Sequence, residues 1–206
     1  MPNAIPRKRR ERGNNVLEFA LVAMPTVLLM LGVVVMGIDL ARSVEVAQLA
    51  RDGGAMFVRG LDFSLSGNQQ VLVRISGPLN MQITGGDGLA SMSKITFIPD
   101  ASCGQPTDAS YPNCIVGKNV LMLRIIFGNT SLPGSHYVTA GNVSLDGQGN
   151  VANYATDPNA VISNFTGTLQ LKPLEISYVT EVYFLTPDVN MQGFLNNTGI
   201  YSQAFF

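Results

Sequence analysis

His136 is the chain's single histidine and stands in a Pro/Gly/Ser segment, LPGSHYV. A histidine works as a catalytic base only beside a nucleophile and an orienting acid, and no GxSxG elbow occurs to supply the first. It reads as a solvated surface residue. Gly117-Lys118 fails as a phosphate-cradling loop, because Pro112 occupies the place of the earlier glycine and Asn119 that of the Ser/Thr. GGDG at Gly85–Gly88 is too short for a calcium repeat and reads as a turn. The expectation is a protein that is not an enzyme, with no metal and no cofactor.

Cys103 and Cys114 lie in a segment rich in turn formers, PDASCGQPTDASYPNC. With one histidine and no CxxC, they lack the ligands of a metal site. A disulfide closing a short surface loop is the favoured reading, two free thiols the alternative. An unstrained bridge over a loop of this size contributes about 2–3 kcal/mol and fits an oxidising compartment.

Glu18 is the more informative ionisable group. It falls inside VLEFALVAMPTVLLMLGVVVMGI, the 23 residues from Val16 to Ile38, which carry no other charge. As a helix this run is about 35 Å long, enough to cross the hydrocarbon core of a bilayer. A carboxylate within the bilayer costs about 2.5–3.5 kcal/mol on insertion scales, so it needs the interface or a partner. Arg12 or the headgroups serve as that partner if Glu18 lies at the interface. Arg7, Lys8, Arg9, Arg10 and Arg12 put five of the thirteen basic residues just ahead of the span. By the positive-inside rule this end stays in the cytoplasm and the chain beyond Asp39 is exported. A cleaved secretory signal is the competing reading, but its apolar region is 7–15 residues and ends in a small-x-small site. Pro25 removes a backbone donor and crowds the carbonyl of Leu21, so a kink or local unwinding is expected there.

The stretch RRERGNNVLEFALVAMP, residues 9 to 25, followed by LARSVEVAQLARDGGAMFVRG, resembles the prepilin class. More closely it is similar to the TadE/TadG-like minor pilins, or pseudopilins, of the tight-adherence (Flp) pilus system. The resemblance covers about 50 of the 206 residues. It implies that a prepilin peptidase cuts between Gly13 and Asn14, making Glu18 the fifth residue of the mature chain. It further implies that the Glu18 carboxylate pairs with the new α-amino group, of pKa near 8, on a neighbouring subunit. Such pairing would set the stagger between subunits more than add stability. Asn14 and Asn15 are more polar than the aromatic start of typical type IV pilins, which favours the Tad branch. The implied partners are the inner membrane, the prepilin peptidase, other pilin subunits and the pilus assembly platform. An uncleaved single-pass scaffold of the same machinery is the alternative; an anchored hydrolase has little support. The triplets opened by Asn129, Asn142, Asn164 and Asn196 match Asn-x-Ser/Thr, which in a bacterial chain is loop composition.

These residues need elements to position them. One long helix over residues 14 to 60, about 70 Å, would carry the span outward. Leu40, Val44, Ala47, Ala50, Gly54, Phe57 and Leu61 form a stripe along it, expected from Ala47 onward to lie on the chain's own domain. Gly53-Gly54 would mark a bend or a close approach of another backbone. A second helix is expected at Asn68–Met81, with Val71, Leu72, Ile75 and Leu79 on one side and Pro78 weakening its last turn. Strands are expected at Ser91–Ile98, Asn119–Phe127, Glu175–Leu185 and Gly199–Phe206, where β-branched and aromatic residues dominate. Residues 128–167 read as loop, with LDGQGNV as a hairpin-like turn. The order gives an α+β class: a basic leader at 1–13, a transmembrane helix with extension at 14–61, and a mostly antiparallel exported domain at 62–206. Only 13% of the residues are charged and the formal net charge is −1, so nucleic acid is not an expected partner.

Overall fold

The computed structural model describes residues 11–99, 114–136, 138, 140–163, 165, 169–173, 175–185 and 199–206. From Glu11 to Val58 the backbone is one α-helix, α1, of 48 residues. It stops where Gly60 adopts φ 89°, a left-handed conformation that costs glycine no Cβ clash. The Gly60 N–H reaches the Phe57 carbonyl at 3.0 Å and the Leu61 N–H that of Met56 at 3.1 Å, the paired bonds of a Schellman cap.

The chain divides into two compact units, Met1–Ala41 and Arg42–Phe206. In the first, the side chains of the apolar run are exposed: Phe19 by 74%, Leu21 by 73% and Met36 by 72%. Thr26 in this stretch donates its hydroxyl to the Val22 carbonyl at 2.7 Å, the usual use of a polar side chain inside an apolar helix.

In the second unit, α1 buries Val46, Leu49, Ala50, Gly53, Gly54 and Phe57. From Ala47 onward the expected stripe lies on this core, with Ala50, Gly54 and Phe57 buried, Ala47 half-buried and Leu61 packed against the cluster, while Val46, Leu49 and Gly53 widen the buried face. Each large side chain on the stripe contributes about 1.5–3 kcal/mol. Gly53 and Gly54 do not break the helix; a Cβ on Gly53 would stand 3.1 Å from Leu72 Cδ1, and one on Gly54 would strike the ring of Phe206. Side chains, not another backbone, make the close approach.

The second helix, α2, spans Ser66–Ile75 and is shorter than expected. Pro78 has no N–H to donate to the Arg74 carbonyl, so the α-helix cannot continue through it, and a single 3₁₀ turn, Gly77–Leu79, replaces the last turn. Of the expected apolar side, Leu72 is buried and Leu79 packs at the core's margin, while Val71 and Ile75 are exposed.

Among the described residues beyond α2 there are four strands: β1 Gly88–Ile98, β2 Lys118–Gly128, β3 Ile176–Phe184 and β4 Ile200–Phe205. They make one antiparallel sheet in the order β2-β1-β3-β4. The α+β class and the antiparallel sheet behind a long apolar helix are as the sequence indicates. Pairing slips between Lys94 and Ile95, where Leu123 faces the first and Leu121 the second, so Met122 bulges from β2.

Both sheet faces are covered. Alternation along β1 and β3 sends Ala90, Met92, Val182 and Phe184 to the α1 stripe, with Phe63 and Phe127 stacked at 6.0 Å between centroids. Ile95 and Val179 turn to the other side, where they pack with Val138, Val151, Ile162 and Phe165. These last come from the segment expected to be loop. It has little regular structure, yet it pairs with the outer edge of β2 through Val151 N–H to Met122 O at 2.9 Å and Ile162 N–H to Asn119 O at 3.0 Å. That edge is thereby hidden from another chain's strand. The LDGQGNV turn is present, with Leu145 bridged to Val151 and Asp146 accepting from the Gln148 and Asn150 amides at 2.8 Å.

Candidate functional site

The residues that could direct processing and assembly lie at the start of α1. Glu11, Arg12, Gly13 and Asn14 all have helical backbone, so the Gly13–Asn14 peptide bond sits in the first turn. Arg7, Lys8, Arg9 and Arg10 lie outside the described residues. Glu18 is one turn further on, on an exposed part of the helix. α1 continues unbroken through Pro25, without the unwound turn a proline can force. Among the described residues α1 is the one helix long and apolar enough to cross a membrane, and its most apolar window is not buried within the protein.

A second constellation was not anticipated. Glu181, in the middle of β3, is 3% exposed. Its register places it opposite Ser91 on β1 and Gln203 on β4. Its carboxylate accepts hydrogen bonds from the Ser135 hydroxyl, from the His136 backbone N–H at 2.8 Å and from the Tyr201 hydroxyl. The Ser135 hydroxyl accepts in turn from the Val138 N–H at 2.8 Å. Arg124, opposite Ser93 on β2, donates to the Val138 carbonyl. Burial pushes the Arg124 pKa down and the charge of Glu181 pushes it back up. The two charges thus clamp Ser135, His136 and Val138 onto the sheet and tie β4 to β3. The signal for this lay in the sequence: EISYVTEVYFL carries Glu181 in mid-strand, in addition to Glu175 at its edge, and NVLMLRIIF carries Arg124. A charge in a strand buried on both faces demands a buried partner.

His136 is exposed, as expected, and its ring meets that of Tyr201 edge-on at 4.9 Å between centroids. The Ser135 hydroxyl is directed to Glu181 rather than to the imidazole, so the neighbours Ser135 and His136 do not form a nucleophile–base pair. Gly85 and Gly86 have positive φ in a turn that leads into β1 at Gly88. Gly117 also has positive φ, at the turn before β2. Of the expected cysteine pair, Cys103 lies outside the described residues; Cys114 packs at the margin of the core under the 138–165 segment. No group of three or more His, Cys, Asp or Glu side chains that could hold a metal occurs among the described residues.

Two clefts of about 180 Å³ open on the second unit, one beside Thr96, Met122 and Tyr154, the other between α1 and the 3₁₀ turn beside Glu45 and Asp52. Both fall below the roughly 300–1,000 Å³ of small-molecule sites. No family model matches the chain, and no curated protein and no solved structure matches it.

Proposed function

We propose that this protein is a TadE/TadG-like minor pilin of a tight-adherence pilus, held in the inner membrane by α1 with its basic tail in the cytoplasm and its sheet domain exported. One observation carries the proposal: a single helix joins an apolar stretch with its side chains exposed, headed by Gly13 and Glu18, to a stripe that serves as the domain's own core. A helix of that design suits a subunit that leaves the membrane for a filament, because only the apolar stretch must exchange lipid for neighbours. Glu18 pairs with the amino terminus of a neighbour once the leader is removed. The Cys103–Cys114 bridge belongs to the same reading, since the exported domain folds in an oxidising compartment. The role is structural and non-catalytic.

The second reading is an uncleaved single-pass scaffold of the same machinery. It is favoured by the helical backbone at Gly13–Asn14, because a protease needs that turn opened before it can cut. The opening is inexpensive in the first turn, where Gly13 is worth about 1 kcal/mol less than alanine as a helix former. To test the pilin reading, Glu18→Ala is expressed beside the pilus partners. Membrane insertion should be unchanged or better and cross-linking to other subunits should fall several-fold. Wild-type cross-linking would return Glu18 to a role at the membrane interface only.

A further inference from the structure

Three charges on the outer part of α1 stand in one row. Glu45, Asp52 and Arg59 are exposed, and none of them makes an ion pair among the described residues. They are spaced by sevens, and seven residues fall only about 20° short of two full turns, so the three follow one line along the helix. Arg59 keeps to that path, because its N–H still reaches the Ala55 carbonyl at 3.2 Å. The two carboxylates form one bank of the cleft of about 180 Å³ beside α1, and Ile75 and Leu79 form the other. Ile75 is 48% exposed, and no basic residue lines the cleft among the described residues.

An acidic bank facing an apolar one selects a cation on a long apolar stem. Arginine has that form: its stem lies along apolar side chains while its planar guanidinium takes the carboxylates. Within one chain Arg59 stands about 10 Å along α1 from Asp52 and about 21 Å from Glu45, and it pairs with neither. A second copy, parallel to the first and shifted toward the membrane by roughly 10–21 Å, closes that distance. We propose that the cleft beside Glu45 and Asp52 receives Arg59 of a second copy shifted in this way. The inference rests on the pilin reading and gives it a partner surface. Copies that share a bilayer hold their apolar runs at one depth, where the Arg59 of each lies beyond the other's cleft. The contact therefore forms once one copy has moved outward into a filament. Cleft and Arg59 occupy different places on the surface, so the contact is head-to-tail and does not close into a symmetric pair. Exposed ion pairs add little affinity, so these charges set the shift between copies rather than hold them together.

Two differently tagged full chains, co-expressed with the pilus machinery, test this, one of them carrying a photoreactive phenylalanine in place of Gln48 at the cleft. Irradiation should capture the second copy, and capture should fall several-fold when the machinery is inactive. Arg59→Glu in the captured copy should lower it several-fold, as should Glu45→Arg with Asp52→Arg in the capturing copy. Combining the two reversals should restore it. All three side chains are exposed, so the variants should fold, and misfolding would not be repaired by a second reversal. No capture, capture indifferent to the reversals, capture equally strong without the machinery, or capture of a different subunit alone would overturn the proposal. The N-terminus of the same samples separates it from the reading beneath it. Asn14 first with no capture overturns the docking and leaves the pilin reading standing; Met1 retained with no capture overturns both.

Discussion

Replacing Glu181 with alanine should be among the most damaging single changes in the exported domain. It removes the acceptor for the Ser135 hydroxyl, the His136 N–H and the Tyr201 hydroxyl at once, and it takes from the partly buried Arg124 its compensating charge. Breaking a buried charged pair by deleting one partner costs about 3–5 kcal/mol. His136 is exposed, so water can repair its amide, which places the expected loss near the lower end, about 3 kcal/mol. Glu181→Gln keeps an acceptor oxygen in place but gives up the charge, and hydrogen bonds to neutral acceptors are roughly half as strong. Its loss should be about 1–2 kcal/mol. Guanidinium unfolding of the full chain in detergent micelles, followed by the near-ultraviolet signal of the tyrosines, measures both. An alanine variant within about 0.5 kcal/mol of wild type, the range of an ordinary surface change, would refute the clamp. A glutamine variant as weak as alanine would show that the charge facing Arg124, rather than the accepted bonds, holds the segment.

Gly88→Ala should destabilise by about 1–3 kcal/mol, since the new methyl would strike the edge of the Phe184 ring, which is 1% exposed and has no room to move. Gly54→Ala meets the ring of Phe206 equally closely, but Phe206 is 46% exposed and can swing aside, and the helix gains about 1 kcal/mol; thermal melts should show a change near zero. The Asp146 carboxyl is held below the ordinary aspartate range, first by the Asn150 side-chain amide and then by the Asn150 and Gln148 N–H groups. Its support for the turn is present above an ordinary pKa of about 3.9 and is lost as pH falls through the lowered value; the carboxyl carbon resonance should titrate below that of a free aspartate, and Asn150→Ala should move it back up.

The four strands and the long helix are legible because their apolar and β-branched runs are bounded by Gly, Pro and Asn. The start of β1 at Gly88 is not legible, because Gly-Leu-Ala continues a glycine-rich turn and carries no strand signal of its own, so the sequence points to Ser91 instead. The α1 stripe is legible from Ala47 onward through Ala50, Gly54 and Phe57, while Val46 and Leu49, which widen the buried face beside it, are not picked out by single steps of three or four. The segment after β2 is opaque for a different reason. Val138, Val151, Ile162 and Phe165 fill the second core from isolated bridges and turns, which leave no period to detect. The Glu181 clamp is the most instructive omission, because Arg124 and Glu181 stand 57 positions apart and only strand pairing brings them to one face. The anchor signal needs no such pairing: Gly13, Glu18 and the basic cluster are neighbours in the chain.

The claim that α1 is a processing and assembly signal rests on the bond after Gly13. The full chain, co-expressed with an active prepilin peptidase and recovered from the membrane, should have an intact mass that corresponds to a first residue of Asn14. Gly13→Ala should restore the leader. A chain that keeps Met1 while a control prepilin is cut in the same cells would contradict the pilin account and leave the uncleaved scaffold in its place.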